Sequence, residues 1–195
     1  VDEWLDVATG AAPGHIYGRN TNPTVAVFEE KLRMLEGGEA ATSAATGMAA
    51  ISNMLYALLE PGRRVVSVKD TYGGTSMLFT KYLPRVGVEV ELVDTTDADG
   101  VEQAMDRGCD LLYLATPTNP SLKIIDLPRL IAAGRDRGAI TVVDNTFATP
   151  VLQQPLALGA DLVVHSATKF LGGHADALGG AVVGRGDLVE AVFRY

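Results

Sequence analysis

From Thr24 onward, apolar residues return at Val25, Phe28, Leu32 and Leu35, with Glu29, Glu30, Lys31 and Arg33 on the other side of the repeat. This spacing predicts an amphipathic helix that Gly37 and Gly38 stop. A run of small residues from Ala41 to Ala50 leads into a second apolar helix that ends near Leu59, before the Pro61-Gly62 turn. Beyond it the pattern becomes continuous rather than periodic. Residues 64–68, 88–93, 110–115, 140–143, 162–164 and 179–183 are short apolar runs bounded by turn formers, the signature of buried strands. Helices are predicted between them, from the loop at 70–75 through Leu83, around 101–105, from about 127 to 137, and over 187–195. The alternation predicts an α/β fold: a mostly parallel sheet with helices on both faces. Residues 14–23 carry turn formers and no period, so they should form an exposed loop or arm.

Length and charge narrow the picture. A chain of 195 residues suits one large domain, here an arm over 1–23 and an α/β domain over 24–195, or a domain with an incomplete neighbour. The chain opens at Val1 and stops at Tyr195 inside a predicted helix, so both ends read as cut. A formal charge of −8 without any Lys/Arg cluster disfavours nucleic acid and anionic membrane as partners. No apolar run approaches the roughly 20 residues of a membrane span. Cys109 is the single cysteine, which excludes an intrachain disulfide and, with no signal peptide visible, leads us to expect a reducing cytoplasm. His15, His165 and His174 lack metal-ligand spacing.

Four residues fall just beyond the C-terminal ends of predicted strands: Tyr72, Asn119, Asp144 and Lys169. In an α/β sheet those ends share one edge, where ligands bind. Lys169 sits between Ser166, Thr168 and the Gly172-Gly173 pair, and reads either as a surface lysine or as an amine facing a crevice. Asp144 follows three buried positions, so it needs a donor or a cation unless it is a turn or cap residue. Gly47 and Met48 open a helix; their N–H groups suit a phosphate, and the small residues around them equally suit close helix packing. An amine for a Schiff base, a carboxylate for a cationic ring nitrogen, an aromatic ring for stacking and a phosphate site are what pyridoxal phosphate requires. The glycine patterns of dinucleotide sites and P-loops are absent, which counts against a nucleotide-binding module.

Six segments occur in order along nearly the whole chain: Tyr17, Gly18 and Arg19 with Asn22, Pro23 and Thr24; Thr46 to Ala49; Tyr72 to Thr75; Pro117 to Pro120; Asp144 to Thr146; and Ser166 to Lys169. In these the chain resembles the Cys/Met-metabolism family of fold-type I pyridoxal-phosphate enzymes, which includes cystathionine γ-synthases, cystathionine γ- and β-lyases, methionine γ-lyases and O-acylhomoserine sulfhydrylases. The resemblance implies the large domain of that fold, pyridoxal 5'-phosphate as cofactor, and γ-elimination or γ-replacement on a small sulfur amino acid or O-acylhomoserine. It implies that Lys169 is the covalent anchor and proton shuttle, that Asp144 pairs with the ring nitrogen, and that Tyr72 stacks on the ring and serves as a candidate acid–base. Asn119 would contact the ring hydroxyl. The phosphate would be held by Gly47 and Met48 N–H, the Ser166 and Thr168 hydroxyls, and Tyr17 with Arg19 from a neighbouring subunit. Shared sites imply a homodimer, and the family is usually a tetramer of such dimers.

Three departures accompany the resemblance. Ala115 stands where the family usually has glutamate. The family's C-terminal domain, with its arginine for the substrate carboxylate, is absent, so a parent protein of about twice this length is expected by resemblance. Gly74 stands where methionine γ-lyases often have cysteine, which counts against that branch, although methionine γ-lyase and O-acetylhomoserine sulfhydrylase remain alternatives. A non-catalytic homologue that binds the cofactor is the reading of another class.

Overall fold

The computed structural model describes residues 2–18 and 21–195. A short helix, α1 (Asp2–Ala8), precedes α2 (Pro23–Glu36), which lies where the periodicity put it. Asn22 Oδ1 accepts the N–H of Thr24 at 2.9 Å and of Val25 at 3.4 Å, and Gly37, at φ 73°, closes the helix by donating its N–H to the Arg33 carbonyl. Side-chain capping and a left-handed glycine satisfy the polar groups that a helix end leaves open.

The lead-in to the second helix departs from the expectation. The small-residue run contains a strand of its own, β1 (Ala40–Ala44), before α3 (Gly47–Leu58) begins. Alanine, serine and threonine give little hydrophobic contrast, and the strand is made instead by pairing: Thr42 lies opposite Val182 in an antiparallel ladder. Glu29 on α2 secures it by accepting both the N–H and the hydroxyl of Ser43, at 2.8 and 2.7 Å.

The remaining elements are β2 (Arg64–Val68), α4 (Gly73–Met77), β3 (Glu89–Val93), α5 (Ala98–Asp106), β4 (Leu111–Ala115), α6 (Leu127–Asp136), β5 (Ile140–Asp144), α7 (Thr149–Leu152), β6 (Leu162–His165), β7 (Gly180–Gly184) and α8 (Gly186–Arg194). After α4 the helix widens into a π turn over Leu78–Tyr82 and tightens into a 3-10 turn over Pro84–Val86. The seven strands run in the order β1-β7-β6-β5-β4-β2-β3. Strands β2 to β6 are mutually parallel, and β7 runs antiparallel to both of its neighbours.

Burial follows the pleat. Ala181 and Val183 pack with Leu32 of α2 on one face, whereas Val182 and Val164 join the larger core with Met54 and Leu55 of α3. All five residues of β2, β4 and β7 are buried, as expected for strands covered on both faces. Among the described residues, no helix is long and apolar enough to cross a membrane.

Candidate active site

Parallel strands place their C-terminal ends on one edge, and β4, β5 and β6 end together: Ala115 is in register with Asp144, and Asp144 with Val164 just before the end of β6. A cavity of about 380 Å³ opens there. Its lining includes Gly47, Met48, Tyr72, Asn119, Asp144, Ser166, Thr168 and Lys169, together with Ala115. The two remaining expected residues are not among these. Tyr17 is 56% exposed and lies outside the lining, and Arg19 lies outside the described residues.

A tight turn presents Lys169. Its N–H donates to the Ser166 carbonyl at 3.1 Å, Gly172 N–H to Ala167 at 2.8 Å, and Gly173 N–H to the Lys169 carbonyl at 2.7 Å. Gly173 takes φ +80°, and a Cβ on Gly172 would stand 2.9 Å from the Ala167 carbonyl, so the turn needs both glycines. Lys169 Nζ has no ion pair or hydrogen bond among the described residues.

The opposite wall is the start of α3. Thr46 caps it, with Oγ1 accepting from Ala49 N–H at 3.0 Å and its carbonyl from Ala50 N–H at 3.0 Å. The N–H groups of Gly47 and Met48 therefore have no acceptor within the helix and carry its positive end. A Cβ on Gly47 would lie 2.5 Å from Ser166 Cβ, which shows how closely the helix start rests on the lysine turn. Ser166 Oγ makes no hydrogen bond among the described residues, whereas the Thr168 hydroxyl already donates to the Gly179 carbonyl at 3.2 Å. Ser166 is thus the readier donor for an anion.

Asp144 has the donors it requires. Thr146 N–H reaches Oδ1 at 3.1 Å, and the Tyr113 hydroxyl reaches Oδ2 at 3.2 Å. Tyr113 went unremarked in the sequence, since it sits inside an apolar run; only the strand register brings it beneath Asp144. Burial, then the charge of Asp144 and the hydrogen bond to it, push its phenol well above the usual tyrosine range, against a smaller opposing effect of the Thr75 hydroxyl.

Behind the cavity lies a second unanticipated group. Glu36 and His165 side chains are fully buried and meet at 2.6 Å between Oε1 and Nε2. Asn145 Nδ2 donates to the same Glu36 oxygen at 2.8 Å, and Gln153 Nε2 donates to Asn145 Oδ1 at 2.9 Å and to the Thr116 carbonyl at 3.2 Å. Thr116, Asn145 and His165 are the chain neighbours of Ala115, Asp144 and Ser166, so this network ties together the three strand ends that carry the site.

Unpaired N–H groups at a helix start, a free serine hydroxyl, an oriented carboxylate and an unpartnered lysine together match the phosphate, ring nitrogen and aldehyde of pyridoxal phosphate. Known structures agree on the class. Cystathionine gamma synthase from Xanthomonas oryzae pv. oryzae, solved with aminoacrylate and cysteine, superposes with a TM-score of 0.90 at 41% identity, over 94% of this chain and 48% of that one. The architecture is that of fold-type I pyridoxal-phosphate enzymes. Within that class, residues 2–194 match the Cys/Met metabolism PLP-dependent enzymes, and the chain belongs to that family. It is 47% identical over 180 residues to an L-methionine gamma-lyase of Fusobacterium nucleatum subsp. nucleatum, covering 92% of this chain and 46% of the relative. It is also 47% identical over 183 residues to a cystathionine gamma-lyase of Bacillus subtilis, covering 94% and 48%. The chain thus spans about half the length of the relatives it matches.

Proposed function

We propose that the protein carries out γ-elimination or γ-replacement on sulfur amino acids or O-acylhomoserine, in the manner of a cystathionine γ-lyase or γ-synthase. The observation that carries this reading is the convergence of Lys169, Asp144, Tyr72 and the Gly47-Met48 helix start on one cavity at the strand ends. When bound, pyridoxal phosphate supplies an aldehyde for amines and a conjugated ring that accepts the electron pair left when the α-proton departs.

The chain's own residues do the rest. Gly47 and Met48 N–H groups and the Ser166 hydroxyl bind the phosphate, and Thr168 contributes once its hydroxyl turns from Gly179. Asp144, with both oxygens already oriented, holds a proton on the ring nitrogen. Asn119 meets the ring hydroxyl, and Tyr72, half exposed at the mouth, stacks on the ring. Lys169 would hold the cofactor through its amine until a substrate amine takes its place, and the freed Nζ would then take the α-proton as base and return it further along the substrate. Tyr72 or Lys169 protonates the departing group; such help is typically worth ~10²–10⁴-fold.

Tyr17 lies outside its own chain's cavity, which supports the reading that residues 1–23 form an arm whose Tyr17 and Arg19 complete the phosphate site of a neighbouring subunit. We infer a homodimer with shared sites, paired into a tetramer, in the cytoplasm. A methionine γ-lyase is the second reading, favoured by the Fusobacterium relative. Against it, a side chain at Gly74 would meet Met48 Sδ at 2.7 Å and Tyr72 Cε1 at 3.0 Å, so a cysteine there would crowd both.

The test is an assay of the full-length protein, loaded with pyridoxal phosphate, on methionine, on cystathionine, and on O-acylhomoserine with cysteine, following 2-oxobutanoate, thiol and cystathionine. 2-Oxobutanoate from cystathionine, or cystathionine from the third mixture, is expected. Methanethiol from methionine as the dominant product would favour the second reading, and cofactor uptake without any product would overturn the enzymatic reading.

A further inference from the structure

Tyr113 occupies the middle of β4 with no solvent exposure, and it is among the largest fully buried side chains in the protein. Side chains alternate along a strand, so Tyr113 shares a face with Ala115, whose register partner is Asp144. The phenol therefore stands one pleat below the carboxylate, on the adjacent strand, and reaches Oδ2 from inside the sheet at 3.2 Å. Its ring is fixed from the other side by Phe79, edge-on at a centroid distance of 5.2 Å and 75° between planes. Burial and the neighbouring Asp144 charge favour the protonated phenol, the form that donates to the carboxylate.

Asp144 Oδ1 has its own donor, the N–H of Thr146, which lies two residues along the same chain. That single contact leaves the carboxylate free to swing about its Cα–Cβ bond. The second contact, from a different strand and a rigid ring, removes that freedom from a carboxylate that lines the cavity and still has acceptor capacity to spare. We propose that Tyr113 is a positioning residue: its buried phenol locks the Asp144 carboxylate in the orientation in which it meets the ring nitrogen of the bound cofactor. The inference rests on the assignment of the cavity to pyridoxal phosphate.

Tyr113→Phe removes one oxygen and keeps the ring and its contact with Phe79. Losing a buried hydrogen bond to a charged group costs about 1.5 kcal/mol or more, equivalent to a factor of roughly ten. In the full-length holoenzyme we expect kcat to fall about tenfold with KM little changed. We also expect a shifted ¹⁵N resonance for cofactor labelled at the ring nitrogen and a weaker visible circular dichroism band. A second background isolates the route: in Asp144→Ala, adding Tyr113→Phe should change neither the ¹⁵N resonance nor the cofactor dissociation constant further, because the two residues act as one unit. An unaltered ¹⁵N resonance in a folded Tyr113→Phe holoenzyme would overturn the proposal. So would additive effects in the double variant, since a merely structural tyrosine would lower the melting temperature in both backgrounds alike. Failure of the unmodified protein to take up labelled cofactor at all would instead refute the cofactor assignment beneath it.

Discussion

Gly47→Ala is the sharpest test of how the site is assembled. The added Cβ would stand 2.5 Å from Ser166 Cβ, 2.7 Å from Ser166 Oγ and 2.8 Å from Ser166 Cα. Carbon atoms in contact ordinarily sit about 3.5–4.0 Å apart, so the start of α3 and the lysine turn must part by about 1 Å. Both are held from behind: Gly180, next to the turn, is packed so that its own Cβ would be 2.2 Å from the Thr46 carbonyl, and Ser166 N–H is bonded to Thr146 Oγ1 at 2.9 Å. Neither side can yield cheaply, and overpacking of this sort typically costs about 1–3 kcal/mol. For a cooperative unit of about 150–250 residues that corresponds to a fall in melting temperature of about 2–12 °C, and proportionally less in a longer protein, readable by calorimetry. The same displacement moves the Gly47 and Met48 N–H groups away from Ser166 Oγ, with which they are proposed to share the phosphate. Misplacement by about 1 Å can cost a factor near 10² in function, so cofactor affinity should fall by up to about 10², about 2.7 kcal/mol and comparable to the loss of stability. An alanine variant of the full-length protein with unchanged melting temperature and unchanged cofactor dissociation constant would refute the reasoning.

Three further outcomes are expected. Lys169→Ala should still bind some cofactor but lose turnover and the borohydride-stable label that the unmodified protein acquires at this residue; near-normal activity would rule out the anchoring role. Glu36→Ala should destabilise the fold by about 1–3 kcal/mol in denaturant titrations, because it leaves the buried His165 Nε2 and the Asn145 amide without their shared partner. A loss below about 1 kcal/mol would show that the pair holds little. Mixing Tyr17→Ala with Lys169→Ala subunits should restore activity in hybrid dimers, since each hybrid retains one site with both residues; no recovery in verified heterodimers would count against sharing.

Much of the frame was legible because buried strands announce themselves. The runs at 64–68 and 110–115 have no polar face to disguise them, and their order with the intervening helices implied a parallel sheet whose C-terminal edge would collect Tyr72, Asn119, Asp144 and Lys169. What escaped was decided by register and by long-range pairing. β1 is made of residues that fit a helix lead-in equally well, and it becomes a strand because β7 lies beside it. Tyr113 reads as core until the alignment of β4 with β5 puts its hydroxyl under Asp144. Glu36 closes an otherwise ordinary amphipathic helix, and nothing near it in the chain announces His165, 129 positions later. Thr168 illustrates the converse: its type and position suited a phosphate, but its hydroxyl is engaged with Gly179 in this structure.

The reversed direction of β7 has a consequence for how the protein can change. Because β6 and β7 are antiparallel neighbours, the segment joining them leaves and re-enters the sheet at the same edge and never crosses a face. Lys169 lies near its start, and Phe170 and Leu178 along it are 63% and 76% exposed. Residues 174–178, beyond the two glycines that the turn needs, can therefore lengthen, shorten or exchange side chains without shifting the register of any strand or unseating the lysine turn. A lineage of such proteins could redraw the mouth of its cavity, and with it the choice of leaving group, while inheriting the base of the site unaltered.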